Sequence, residues 1–271
     1  MNLHNLFYII TVVYLFTSIF YFINLISQGN KFIKFARIVV LFGFLLHSVG
    51  LILWTIKAQH APFSNMYESS VFFSWAIVLV YLILSYTYKW DVLGAFVIPL
   101  AFLAIGSASV LPNDYKAIEP LVPALRSSWL EIHVISCMVG YAAFAISFVA
   151  GILFFVKEKG TGKISANLPS QEVLDTINYK SITLGFVLLT CGIISGAIWA
   201  NFAWGTYWSW DPKETWSLIT WLIYAIYLHA RLMRGWYGKK IAWISIIGFL
   251  AVLFTYWGVN FLLSGLHSYA Q

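Results

Sequence analysis

The chain has 271 residues, of which 61% are hydrophobic, 19% aromatic and only 10% charged, with a formal net charge of +6. Ordinary soluble domains are roughly 25% charged, and a soluble fold of this length could not cover its surface with so few charges. Composition therefore excludes a soluble enzyme or binding module and predicts an all-α polytopic membrane protein. The basic residues lie in short loops between apolar stretches, so membrane topology accounts for the positive charge and no nucleic-acid partner is implied.

Eight uncharged stretches are predicted as spans or span cores: residues 6–26, 38–56, 71–88, 92–109, 132–155, 182–202, 216–230 and 241–263. Each approaches the roughly 20 residues that a helix needs to cross a bilayer. The seventh is short, but residues 212–231 extend it at the interfaces. The first is expected to remain as a span, since no basic region precedes it and no small-residue cleavage site follows it. The whole chain, residues 1–271, reads as a single integral-membrane domain without an obvious internal repeat.

Orientation follows from Lys and Arg. Of the 16 such residues, 12 fall in the loops after spans one, three, five and seven, and 4 (Lys57, Lys116, Arg126 and Lys213) on the other side. The basic side is expected to be cytoplasmic, which puts both termini and the loops after spans two, four and six on the extracytoplasmic side. The longest connection, residues 156–181, is expected to be a polar cytoplasmic loop. Three outer loops end in a capping residue three positions before a Glu: Asn65…Glu68, Ser128…Glu131 and Asp211…Glu214, with Pro212 at the favoured first helical position. The loops before spans three, five and seven are thus expected to be shaped rather than slack.

The densest signal is Trp204-Gly205-Thr206-Tyr207-Trp208-Ser209-Trp210-Asp211-Pro212-Lys213-Glu214-Thr215-Trp216. An interfacial aromatic belt would spread such residues over many helix ends; here they crowd into one outer loop. Massed indole faces suit a large planar hydrophobic ligand. Of the six histidines, His133 just inside span five and His267 just beyond span eight fall on the same predicted side as this loop. Imidazole is a common axial ligand of haem iron, whereas the chain offers no Cys/His set for a tetrahedral zinc site. The two cysteines, Cys137 and Cys191, form no redox or haem-attachment motif and read as small core residues.

These residues resemble a known family. The run from Trp204 to Trp216 (WWD outer loop, about 203–216) is similar to the tryptophan-rich WWD signature of haem-handling membrane proteins. More narrowly, the chain resembles the CcsA/ResC family, the membrane subunit of the System II cytochrome c synthase. His60-Ala61-Pro62-Phe63-Ser64-Asn65-Met66-Tyr67-Glu68-Ser69, Trp129-Leu130-Glu131-Ile132-His133, Gly258-Val259-Asn260 and Gly265-Leu266-His267-Ser268-Tyr269 extend the similarity from about residue 45 to the C-terminus.

The resemblance implies haem b as substrate and bound ligand, held by His133 and His267 as outer axial ligands beneath Trp204, Trp208, Trp210, Asp211 and Trp216. It implies that His229 meets haem within the membrane, with a second histidine supplied by a CcsB-like partner subunit. Further implied partners are apocytochrome c and membrane lipid, and the implied location is a bacterial plasma membrane or a thylakoid. No acid, base or nucleophile for thioether formation is evident, so catalysis is expected of the complex rather than the isolated chain. Haem export without ligation, or haem sensing, are the competing functions.

Helix geometry separates the two sites independently. Asp211 and His229 are 18 residues apart, or about 27 Å along a helix, on one face with Thr215, Leu218, Leu222 and Ala225. That stripe reads either as a channel wall or as a packing seam. His47 reads as a packed side chain or a second inner ligand, His60 as lining the outer entrance and His4 as solvated. Arg126 and Lys213 read as topology charges or as propionate partners. Gly192 and Gly196, at GxxxG spacing, read as close helix packing.

Overall fold

A computed structural model describes residues 3–27, 31–263 and 265. The chain is helical throughout, with no strand among the described residues. The long helices are α1 (Leu3–Ser27), α2 (Lys31–Ala58), α3 (Met66–Tyr88), α4 (Gly94–Val110) and α5 (Ser128–Lys159). A short α6 (Lys163–Asn167) is followed by α7 (Gln171–Trp204), α8 (Pro212–Arg234), α9 (Lys239–Leu253) and α10 (Val259–Leu262). A π-helical turn, Phe254–Gly258, joins the last two. Among the described residues seven helices are long and apolar enough to span a membrane. The seventh expected span forms as α8, a 23-residue helix, but its polar first turns make it less apolar than the others.

The connection 156–181 is less loop-like than its polarity suggests. α5 runs to Lys159, α6 fills part of the gap, and α7 starts at Gln171. Ser170 caps α7, its side chain accepting from the Val173 N–H. At 34 residues α7 is about 51 Å long, well beyond the roughly 30 Å hydrocarbon core of a bilayer. Polar helical turns can project past the apolar span because their backbone groups are satisfied internally.

The structure forms two compact units, one of Met1–Leu121 with Lys159–Pro169, the other of Val122–Glu158 with Ser170–Gln271. In the first, α3 packs on α4, and α1 packs on both α2 and α4. Tyr14, Tyr21, Trp54, Phe73 and Tyr81 are fully buried in its core. A Cβ on Gly94 would stand 2.5 Å from the Tyr81 hydroxyl, so only glycine lets α4 begin so close. Arg37 pairs with Asp91 and thereby joins the start of α2 to the α3–α4 connection, two segments that the charge count assigns to one face.

In the second unit, α5 and α7 meet along a glycine seam. A Cβ on Gly185 would clash with Phe144 at 2.6 Å, one on Gly192 with the Cys137 sulfur at 2.4 Å, and one on Gly196 with His133 Nδ1 at 2.4 Å. Phe144 in turn stacks flat on Tyr224 of α8, with centroids 3.6 Å apart. Asn178 donates to the Ser147 carbonyl and to Ser245 Oγ, linking α7 to α5 and α9. At one end Asp175 pairs with Arg231 and Glu158 with Lys239. Cys137 is buried, but Cys191 is exposed, so only the first is the core residue that its apolar setting suggested.

Candidate functional site

The Trp-rich loop is built from both ends. Gly205 terminates α7 in the left-handed conformation (φ 77°), its N–H returning to the Asn201 carbonyl. Asp211 starts α8 with both halves of the expected capping box in place. Its Oδ1 accepts from the Lys213 N–H at 2.9 Å, while Glu214 Oε2 accepts from the Asp211 N–H at 3.2 Å and the Ser209 N–H at 2.8 Å. Glu214 therefore pins the loop two residues further out than a capping box alone requires. Trp210 sits between these anchors at φ 61°, a region that bulky side chains rarely adopt and that costs on the order of 1–3 kcal/mol. The strain holds a large ring outward: Trp210 is 67% exposed and Tyr207 60%. Trp208 meets Trp210 edge to face at 5.8 Å.

The remaining tryptophans of the run are supports. Trp204 packs edge to face on Trp199 at 4.7 Å, and Trp216 lies 4.2 Å from Phe254 in the π-helical turn. Asp211 is buried; its carboxylate lies where a Cβ on Gly265 would approach to 2.4 Å. Lys213 Nζ donates to Asn260 Oδ1 at 3.0 Å, tying α8 to α10. It is thus an internal tether rather than a solvated topology charge. His267 lies outside the described residues.

His133 is fixed by the glycine seam. Its Nδ1 is 2.7 Å from the Gly192 carbonyl. A carbonyl can only accept, so Nδ1 carries the proton in this bond. Metal-binding histidines are commonly oriented in this way. The ring lies nearly parallel to Trp199, with centroids 6.4 Å apart, and Trp199 in turn meets Trp204. His133, Trp199 and Trp204 thus form a continuous aromatic row leading to the loop. Trp199, whose indole donates to the Ala124 carbonyl at 2.9 Å, escaped the sequence reading. It stands five residues before Trp204, about 1.4 helical turns, so no same-face spacing marked it. The expected cap at Ser128 shifts by one residue: the Ser127 carbonyl accepts from the Leu130 and Glu131 N–H groups.

His229 is elsewhere on this unit. It is exposed on α8, as is Leu222, while Thr215, Leu218 and Ala225 are half-buried. Thr220, Tyr224, Tyr227 and Ala230 are the buried face of the helix. Leu222 and His229 of the 211–229 stripe therefore face outward, while Asp211 at its head is buried. His229 opens onto a cleft with Leu222, Ile226 and Trp236.

The first unit's histidines are packed. His47 is fully buried, with Nδ1 3.1 Å from the Tyr14 hydroxyl. His60 is buried, with Nδ1 2.9 Å from the Ala61 carbonyl and 4.0 Å from Glu68. Glu68 accepts from Ser64 and from the Trp54 indole. His4 is not solvated: its Nδ1 is 3.0 Å from the Tyr67 hydroxyl. Among the described residues no three of His, Cys, Asp and Glu gather as a metal cage.

A family model described as cytochrome C assembly protein matches residues 63–267, about three-quarters of the chain. The chain belongs to this family. It is 45% identical over 267 residues to the cytochrome c biogenesis protein CcsA of Prochlorococcus marinus (strain MIT 9215), covering 89% of this chain and 86% of that protein. The CcsA of Synechococcus sp. (strain CC9605) is 41% identical over 260 residues, covering 86% of each. Among solved structures, the cytochrome c heme lyase CcmF superposes with a TM-score of 0.71 at 16% identity. That match takes in 94% of this chain but only 47% of CcmF, so this chain corresponds to about half of it and the likeness is one of fold. The chain is an integral membrane protein of a family that its relatives place in bacterial or thylakoid membranes.

Proposed function

We propose that this chain delivers haem b and presents it for covalent attachment to apocytochrome c, in a complex with a CcsB-like subunit. The observation that carries the reading is the seat of His133. The Gly192 carbonyl fixes the imidazole through Nδ1, and an indole row leads from the ring to the loop that carries half-buried Trp208 and the exposed rings of Tyr207 and Trp210. An imidazole beside massed indoles fits a metal macrocycle chemically: nitrogen for iron, flat apolar faces for the ring. His133 and His267 act as the two outer ligands, and His229 meets haem at the deeper site.

Haem here is substrate. Each cysteine thiol of the apocytochrome adds across one haem vinyl C=C, forming an S–C bond while the proton ends on the neighbouring carbon. The chain's residues hold and orient the macrocycle rather than supply an acid or base, so their contribution is positioning. The Trp210 strain and the Glu214 bonds matter for that reason, because a slack loop would not present the vinyl edge in one place. Purification of the complex and its absorption spectrum test the reading. Haem with two nitrogen ligands is expected, and His133→Ala should remove the outer site's share of that signature. A haem-free complex from cells making normal cytochrome c would contradict it.

A further inference from the structure

The last turn of α8 borders a cleft of about 500 Å³ whose walls include Leu222, Ala225, Ile226, His229, Arg234 and Trp236, a size ordinary for a small-molecule site. Its shape follows from the helix end. Gly235 takes the left-handed conformation (φ 62°), and the Trp236 N–H returns to the Ala230 carbonyl at 3.1 Å. This closing turn swings the indole back beside the helix. Lys240 Nζ stands 5.0 Å from the Trp236 ring centroid and holds it in place.

The two arginines of this turn differ. Arg231 is committed internally: it pairs with Asp175 at 2.6 Å and lies 4.7 Å from the Tyr179 ring centroid. Arg234 and His229 have no hydrogen bond or ion pair with any described residue, and both face the cleft. Five residues separate them, about 7.5 Å along the axis. An apolar wall, an open imidazole and a displaced guanidinium with a second cation behind the indole complement one kind of occupant. It is a flat apolar ligand with a metal centre and a carboxylate edge.

We propose that Arg234, backed by Lys240, is the carboxylate anchor of this cleft and orients haem by a propionate while His229 faces its iron; this rests on the haem reading of His229 above. Arg suits the task because its planar fork matches a carboxylate. It is a positioning residue, since it holds an edge remote from the reacting vinyl groups.

The test compares haem with its dimethyl ester, which keeps ring, iron and vinyl groups but lacks the acids. Binding to the purified complex is followed by absorption, and the His229-dependent part is taken as the difference from the same protein carrying His229→Ala. The wild type should prefer haem by about tenfold or more. Arg234→Gln should weaken haem to the level of the ester and leave the ester unchanged, with the axial-ligand bands of the bound fraction unaltered. Arg234→Lys, which keeps the charge, should retain part of the preference. Equal binding of both porphyrins by the wild type, or equal loss of both in Arg234→Gln, would overturn the anchor while His229-dependent binding persists. Absence of any His229-dependent binding would instead overturn the inner-site reading, and the anchor with it.

Discussion

Gly196 shows how one missing carbon positions a functional side chain. A Cβ there would lie 2.4 Å from His133 Nδ1, so Gly196→Ala must push the imidazole off the Gly192 carbonyl. Overpacking of this kind costs about 1–3 kcal/mol. The expected outcome is a folded complex with a sharply reduced yield of cytochrome c and altered axial-ligand bands. Unchanged bands in the purified variant would mean that the seam does not set the ring. The GxxxG spacing was legible in the sequence as close packing, but its partner was not. The register that sets 133 against 196, 137 against 192 and 144 against 185 joins residues about 40–60 positions apart, and no local pattern encodes it. Likewise, nothing local distinguishes the packed His47 from the exposed His229, because both are lone histidines within apolar stretches.

N-caps are local at the scale of the element, and two of the three expected ones could be read directly, one of them as a full capping box. Asn65 Oδ1 accepts from the Glu68 N–H at 2.9 Å, and Asp211 with Glu214 completes the reciprocal pair. Loss of an N-cap costs typically about 1 kcal/mol. Glu214 also holds Ser209, so its removal should cost more in order than in stability. Glu214→Ala is expected to lower the melting temperature of the purified complex only slightly while exposing the 205–210 loop to added protease. A resistant loop would show that the bonds to Ser209 are dispensable. α8 carries a second expectation. His229→Ala removes an exposed ring without touching the buried face of Tyr224 and Tyr227, so fold and expression should hold while haem content of the complex falls by roughly half, one of two ligand sites being emptied. Unchanged haem loading and unchanged cytochrome yield would return His229 to a surface role.

At the level of the whole molecule, hydrophobic runs carried most of the fold, because a bilayer demands long apolar helices. Helix ends were less legible. α5 and α7 extend into polar sequence, since their projecting turns need no apolar residues. Sidedness rests on the 12 to 4 distribution of Lys and Arg. A reporter fused after Gln271 should be active outside the cytoplasm and one inserted at Gly160 inside; the reverse pattern would invert every outer assignment. The central claim is that imidazole nitrogens, not merely an aromatic surface, hold the substrate on the outer face. It is tested most directly by replacing His133 or His267 with Gly and adding free imidazole to cells making cytochrome c. Each single variant should lose maturation and regain part of it with imidazole, whereas Trp208→Ala and Trp210→Ala should not respond, since a diffusible ligand cannot restore stacking area. Normal maturation in both histidine variants, or a loss that imidazole never relieves, would contradict the account.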